Sequence, residues 1–195
     1  MIIHKMPLGA YQTNTYIVKA AEDGSDCIVI DPGYEPDIIL DALEGKELKA
    51  ILLTHGHFDH VGAVKELVAE TGCKVYIHAA DLSLPPMITA GQLYYTHTYA
   101  EGATVCPIEG AQIAVLHTPG HTPGSVCLLL GDQMFSGDTL FEGSCGRMDL
   151  PGGDQLQMHQ SLNRLVSLQA DYHIHPGHGG STTLAAEKRY NPYMR

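Results

Sequence analysis

Thr54-His55-Gly56-His57-Phe58-Asp59-His60 is the stretch on which the reading of this chain turns. It follows residues 50–53, a continuous apolar run of the kind that forms a strand covered on both faces. It precedes Val61, Val64, Leu67 and Val68, which recur at helical spacing up to a stop at Gly72. A strand-to-helix junction therefore carries four metal-ligand side chains in six residues. In extended backbone, residues two apart point the same way, so His55 and His57 converge on one ion, and Gly56 gives the chain freedom between them. Asp59 and His60 lie where the helix begins and face a second ion. Imidazole nitrogen and carboxylate oxygen are ligands that zinc and other borderline divalent cations accept. Any one of these residues alone reads as a helix cap or a surface group; four at one junction do not.

Upstream, residues 14–18 and 27–30 read as strands, the second stopped by Asp31-Pro32-Gly33, and a helix follows from Pro36 with Gly45 as its stop. Downstream, residues 74–78 read as another strand. The pattern then weakens over 79–102, where a short helix and a loop are expected and Tyr94 and Tyr95 are candidates for the rim of a pocket. The second half gives strands at 113–116, 126–130 and 134–136. A helix with Met158, Leu162, Leu165 and Leu168 on one face follows, then a strand at 172–175 and helical turns at 184–189. Apolar strands alternating with amphipathic helices predict sheets covered by helices, a layered sandwich rather than a barrel. Three further ligand candidates share the placement of the first four, in a loop just beyond a strand. They are His117 or His121 in the tandem His117-Thr118-Pro119-Gly120 and His121-Thr122-Pro123-Gly124, Asp138 in Ser136-Gly137-Asp138-Thr139, and His178 in His175-Pro176-Gly177-His178. Spacing alone leaves His117 and His121 open.

Composition bounds the function. The chain has 195 residues, 44% hydrophobic and 17% charged, and residues 1–195 are expected to form one domain. Its formal net charge of −11 opposes a nucleic-acid partner. No apolar run approaches the roughly 20 residues that cross a bilayer, and the N-terminus lacks the regions of a signal peptide, so a cytoplasmic protein off the membrane is expected. Five scattered cysteines without a Cys-x-x-Cys pair exclude a disulfide framework and a thiolate zinc knuckle. Twelve histidines against 11 Lys and Arg stand out. Those outside the motifs, His4, His78, His97, His159, His173 and His175, read as packed or exposed, and Cys145 as a small buried residue.

In the order of these motifs the sequence resembles the metallo-β-lactamase superfamily over nearly its whole length. The resemblance implies an α/β fold, a four-layer αββα sandwich with two metals at the edge between its sheets. It implies that His55, His57 and His121 hold one metal, Asp59, His60 and His178 the other, and that Asp138 bridges them; the superfamily's Thr-Pro-Gly-His segment selects His121 over His117. Asp31 matches a position that supports a metal-binding histidine. Within the superfamily, 118–125, 136–141, 146–154 and 187–192 are similar to short, single-domain members of the glyoxalase II-like branch. Two departures bear on glutathione. The chain is expected to lack the C-terminal helical domain that carries much of that site, and Asp149 stands where a tyrosine is expected.

The resemblance implies a metallohydrolase, a thioesterase acting on a small-molecule thioester such as a hydroxyacyl-glutathione. Two divalent ions roughly 3.5–4 Å apart lower the pKa of a shared water from 15.7 towards about 7, so no serine or cysteine nucleophile is required. Zinc is the expected metal, with iron or manganese as alternatives. Asp59 takes a catalytic role by orienting the attacking hydroxide, and Arg147 pairs with a substrate carboxylate or with a surface acid. The competing reading is a mononuclear-iron persulfide dioxygenase, which shares the His-x-His-x-Asp-His pattern and a Gly-Arg-x-Asp stretch; the run Leu150-Pro151-Gly152-Gly153 favours the hydrolase. The oligomeric state has no signature in the sequence.

Overall fold

The computed structural model describes residues 1–21 and 23–195. Its first half contains β1 (Ile2–Leu8), β2 (Thr13–Lys19), β3 (Asp26–Ile30), α1 (Pro36–Ala42), β4 (Glu47–Leu52), α2 (Phe58–Val61), α3 (Val64–Thr71), β5 (Lys74–His78), a 3-10 turn (Ala79–Ser83) and β6 (His97–Tyr99). The second half contains β7 (Thr104–Val105), β8 (Ile113–His117), β9 (Val126–Leu130), β10 (Gln133–Gly137), β11 (Leu140–Phe141), β12 (Ser144–Cys145), α4 (Gln155–Ser167), β13 (His173–Pro176), β14 (Thr182–Thr183) and α5 (Leu184–Tyr190). Among the described residues β1 to β6 form one six-stranded sheet in chain order, and a second sheet runs β14-β13-β10-β9-β8-β7. Each sheet is thus built by one continuous half of the chain.

Alternation along the strands sorts the side chains into three apolar layers. Ile28 and Ile30 of β3 join Tyr16, Leu52, Val115, Leu128 and Phe135 between the two sheets. Their neighbours Cys27 and Val29 point the other way, with Ile51 and Val75, onto Ile39 of α1 and Leu67 of α3. On the far side Cys127, Met134 and Ile174 pack against Met158, Leu162 and Leu165 of α4 and Leu184 of α5. Helices, sheet, sheet and helices are therefore stacked in four layers, the αββα sandwich expected.

The strands β3, β4 and β5 are parallel, as are β10 and β13, and β8 is antiparallel to β9, which is antiparallel to β10. This arrangement gathers the chain segments leaving β3, β4, β5, β8, β10 and β13 at one edge of the sandwich, and they carry Asp31, His55, Asp81, His121, Asp138 and His178. The two sheets are joined across that edge by β2. Asn14 N–H donates to Gly177 O at 2.7 Å, Asn14 Nδ2 and Tyr16 Oη donate to Pro176 O at 2.9 and 2.6 Å, and Thr13 forms a β-bridge with His178.

Most elements lie within about three residues of the positions read from the sequence; one expected helix is split and six strands were not read. The single helix expected after the histidine box is two, α2 and α3, because Ala63 N–H leaves the helical ladder and donates to Pro32 O at 3.0 Å, tying the break to the turn after β3. The strands β1 and β6 and the two-residue strands were not read, since each is fixed by its partner rather than by its own pattern.

Candidate metal centre

The box leaves β4 extended and enters α2 with His57 at the N-cap (φ −69°, ψ 148°), so His55 and His57 precede the helix and Asp59 and His60 lie within it. The structure brings the ligand atoms of His55, His57 and His121 within 4.8 Å of one another, and likewise those of Asp59, His60 and His178. Asp138 stands between the two groups. Its Oδ1 is 3.4 Å from His60 Nε2, and its Oδ2 is 3.4 Å from His121 Nε2 and 3.7 Å from His178 Nε2. His117 lies elsewhere: its ring stacks on His78 at 4.1 Å and its Nε2–H donates to Pro123 O at 2.8 Å.

The hydrogen bonds made by the outer ring nitrogens decide which nitrogen each histidine presents. His60 Nδ1–H donates to Asp31 Oδ2 at 3.0 Å, His121 Nδ1–H to Arg147 O at 2.8 Å and His178 Nδ1–H to Tyr11 O at 3.1 Å. Thr54 gives its hydroxyl proton to Asp31 Oδ2 at 2.6 Å, so His55 Nδ1–H donates to Thr54 Oγ1 at 3.1 Å. In each case Nε2 is left facing inward. Asp31 is the hub of this support: its backbone adopts φ 51°, in the left-handed region that Asp tolerates, and its Oδ1 also accepts from Thr54 N–H at 2.7 Å. Thr13 Oγ1 donates to Asp59 Oδ2 at 3.3 Å, and that oxygen lies 3.2 Å from His178 Nε2.

Among the described residues four buried side-chain atoms have no hydrogen-bond partner: His55 Nε2, His57 Nε2, His60 Nε2 and Asp138 Oδ1. Orphaned acceptors at full burial are costly, and those of His55, His60 and Asp138, with His57 Nδ1 at 2.8 Å from His121 Nε2, fit a site built for cations. The titration behaviour agrees. Burial, reinforced by the neighbouring imidazoles, holds His55 well below the usual histidine range and His57 down at about 4, which keeps both as neutral ligands. Burial opposes a charge on His60 and on Asp138, yet their mutual attraction carries His60 up and Asp138 down. Asp59 is lowered in the same way against burial, by His178 and His60.

The triads open into a cavity of about 460 Å³ whose wall is formed by Tyr11, Phe58, Ile88, Phe141 and Leu150, with Arg147 at its border. Tyr11 meets Phe58 edge to face at 5.3 Å. Tyr94 and Tyr95 do not rim it. Phe58 N–H donates to Ile88 O at 2.8 Å, which draws Ile88 into the cavity, while beyond Gly91 the two tyrosines line a separate groove beside Lys65 of α3. Arg147 has two roles, of which the sequence suggested one. Its guanidinium, 61% exposed, makes a bidentate pair with Asp149 at 2.7 and 2.8 Å, and its carbonyl orients His121. A second, more open depression of about 510 Å³ lies around 106–112 and Asp26, at the opposite end of β3, away from both triads. The aromatic wall had no signal in the sequence. Asp81 had one: like Asp31 and Asp138, it lies just past a strand.

A model of the metallo-β-lactamase superfamily matches residues 8–178. The chain is 34% identical to hydroxyacylglutathione hydrolase GloC of Haemophilus influenzae, over all of this chain and 98% of that protein. Among solved structures, the BLEG-1 B3 metallo-β-lactamase superposes with a TM-score of 0.89 at 32% identity, covering 99% of each chain. TTHA1623, solved in a di-iron-bound form, superposes with a TM-score of 0.84 at 41% identity, covering 97% of this chain and 99% of the other.

Proposed function

The chain belongs to the metallo-β-lactamase superfamily, and from that premise we propose that it is a two-metal thioesterase of the glyoxalase II type. The observation that carries this reading is the pair of adjacent triads with Asp138 between them, since two neighbouring cations suit hydrolysis. His55, His57 and His121 would hold one divalent ion, Asp59, His60 and His178 the other, with Asp138 shared. The donor set of imidazole and carboxylate without thiolate suits zinc, iron or manganese. When bound, such ions supply an acidified water and a positive charge opposite the developing oxyanion.

The remaining work falls to the protein. Phe58, Phe141, Leu150 and Tyr11 exclude bulk water from the acyl group and steer the thioester carbonyl to the junction of the triads. Asp59, whose side chain is 12% exposed at the cavity floor, would accept a hydrogen bond from the attacking hydroxide and orient it, with Thr13 and His178 fixing its carboxylate. Attack at the carbonyl carbon breaks the C–S bond, and the thiolate departs without protonation because thiols are acidic. Arg147 borders the cavity with its fork held by Asp149, and a charged arm of the substrate would compete with that carboxylate for it.

Steady-state assays on S-lactoylglutathione and simpler acyl thioesters, with zinc, iron or manganese supplied, test the proposal. We expect turnover with a high KM for the glutathione substrate, and an Asp59→Asn variant whose kcat falls far more than its KM changes. The dioxygenase is the second reading, because His57, His121 and Asp138 also present two imidazoles and a carboxylate of the kind that holds a single iron. About one iron per chain, oxygen uptake with glutathione persulfide and no thioester hydrolysis would establish it instead.

A further inference from the structure

The segment Thr122-Pro123-Gly124-Ser125, the remainder of the tandem repeat, reaches neither triad. Its polar groups turn to Asp81, in the 3-10 turn after β5. Asp81 is fully buried and its partners are neutral. Its Oδ2 accepts from Gly56 N–H at 2.7 Å and from the Thr122 hydroxyl at 2.9 Å, and its Oδ1 accepts from Gly124 N–H at 2.6 Å. Ser125 fixes that hydroxyl: its Oγ accepts from Thr122 N–H at 3.0 Å and, since Thr122 gives its own proton to Asp81, donates to Thr122 Oγ1 at 2.8 Å. A Cβ on Gly124 would stand 2.6 Å from Asp81 Oδ1, so only glycine permits this approach.

Gly56 separates His55 from His57, and Thr122 adjoins His121. One carboxylate therefore clamps both segments that carry the first triad, one from each sheet. The second triad is held by other groups: Asp31 on His60, Thr13 on Asp59 and the Tyr11 carbonyl on His178. We propose that Asp81 is the positioning residue of the His55, His57 and His121 site, setting that site's metal affinity without touching the ion. The inference rests on the two-metal reading above. It adds that Asp81 supports one site alone, whereas Asp31 reaches both, directly to His60 and through Thr54 to His55, so that loss of Asp81 weakens only the first.

Zinc titrated against a chelating indicator into wild type, Asp81→Asn, Thr122→Val and Thr122→Ser provides the test. Wild type should bind two equivalents. Asn keeps the volume of Asp81 but turns one end into an NH2 group, which faces the Gly124 N–H in one orientation and the Gly56 N–H and Thr122 hydroxyl in the other, so the two segments can no longer both be held. Asp81→Asn should therefore keep one affinity and lose about 10- to 100-fold in the other, the usual cost of losing a supporting partner. Its kcat should fall in step at an unchanged KM and recover as free zinc is raised, a rescue that a general folding defect would not give. Thr122→Val should weaken the same site by less, and Thr122→Ser, which keeps the hydroxyl, should restore it. Should Asp81→Asn fail to fold, the Thr122 pair decides alone. Two wild-type affinities in the variants, or equal weakening of both sites, would overturn the proposal. Wild type that binds no zinc would instead remove the metal reading, and this inference with it.

Discussion

His117 and His121 open adjoining copies of His-Thr-Pro-Gly, yet one packs and the other faces the site. The difference lies in what each ring nitrogen meets. His117 spends its Nε2–H on Pro123 O, whereas His121 gives its Nδ1–H to Arg147 O and turns Nε2 inward. Replacing His121 by Ala should remove about one metal per chain and lower turnover by more than the roughly 10- to 100-fold that losing a supporting group costs. Replacing His117 by Ala should leave metal content unchanged. Elemental analysis of the two variants compares them directly, and the opposite result would exchange their roles. At this scale the sequence was legible where ligand types repeat at fixed spacing just past strands. It was silent where a backbone carbonyl does the orienting, as with Arg147 O, because a backbone oxygen has no residue type to recognise, and Asp81 was missed because, although just past a strand, it lies outside the histidine motifs.

Strands and helices place titratable groups away from the metal centre as well. On β5, burial pushes His78 down to about 4, with the stacked His117 reinforcing it. On β13, burial pushes His175 down to about 4, where its ring lies against Phe135 at 5.0 Å and Tyr16 at 5.5 Å. Both are lowered on folding, so the unfolded chain binds their protons first. Their contribution to stability is present above about pH 6.5 and is lost as pH falls towards 4. We expect the chelated wild type to lose stability over that window more steeply than a His175→Gln variant, by up to one proton in slope, as read from urea unfolding at several pH values. An unchanged slope would place that loss elsewhere. Elements with many partners were the legible ones: β5 and β9 fall where their apolar runs predict. Edge strands such as β1, paired only to β2 and interrupted by Pro7, and two-residue strands such as β14 take their form from a neighbour distant in sequence. The break between α2 and α3 was hidden because Val61, Val64 and Leu67 keep helical spacing across it.

The whole molecule divides where its sheets divide. Residues up to Tyr99 build one sheet and those from Thr104 the other, while each triad draws on both halves. Ions bound at both triads, as proposed, would tie the halves together and stabilise only the folded form. Saturation at about a hundred times Kd adds about 2.7 kcal/mol. At roughly 2–4 °C per kcal/mol for a chain of this size, chelation should lower Tm by about 5–10 °C in calorimetry, with recovery on adding metal back. An unmoved Tm would mean that the ions do not bridge the halves. Among the described residues no helix is long and apolar enough to cross a membrane. The clean partition of the chain between two sheets also makes it a two-piece device in waiting. Severed in the short connection between β6 and β7, each fragment would keep a sheet of its own and an incomplete set of ligands, so that reassembly, and any signal fused to it, would report the availability of metal in the surroundings.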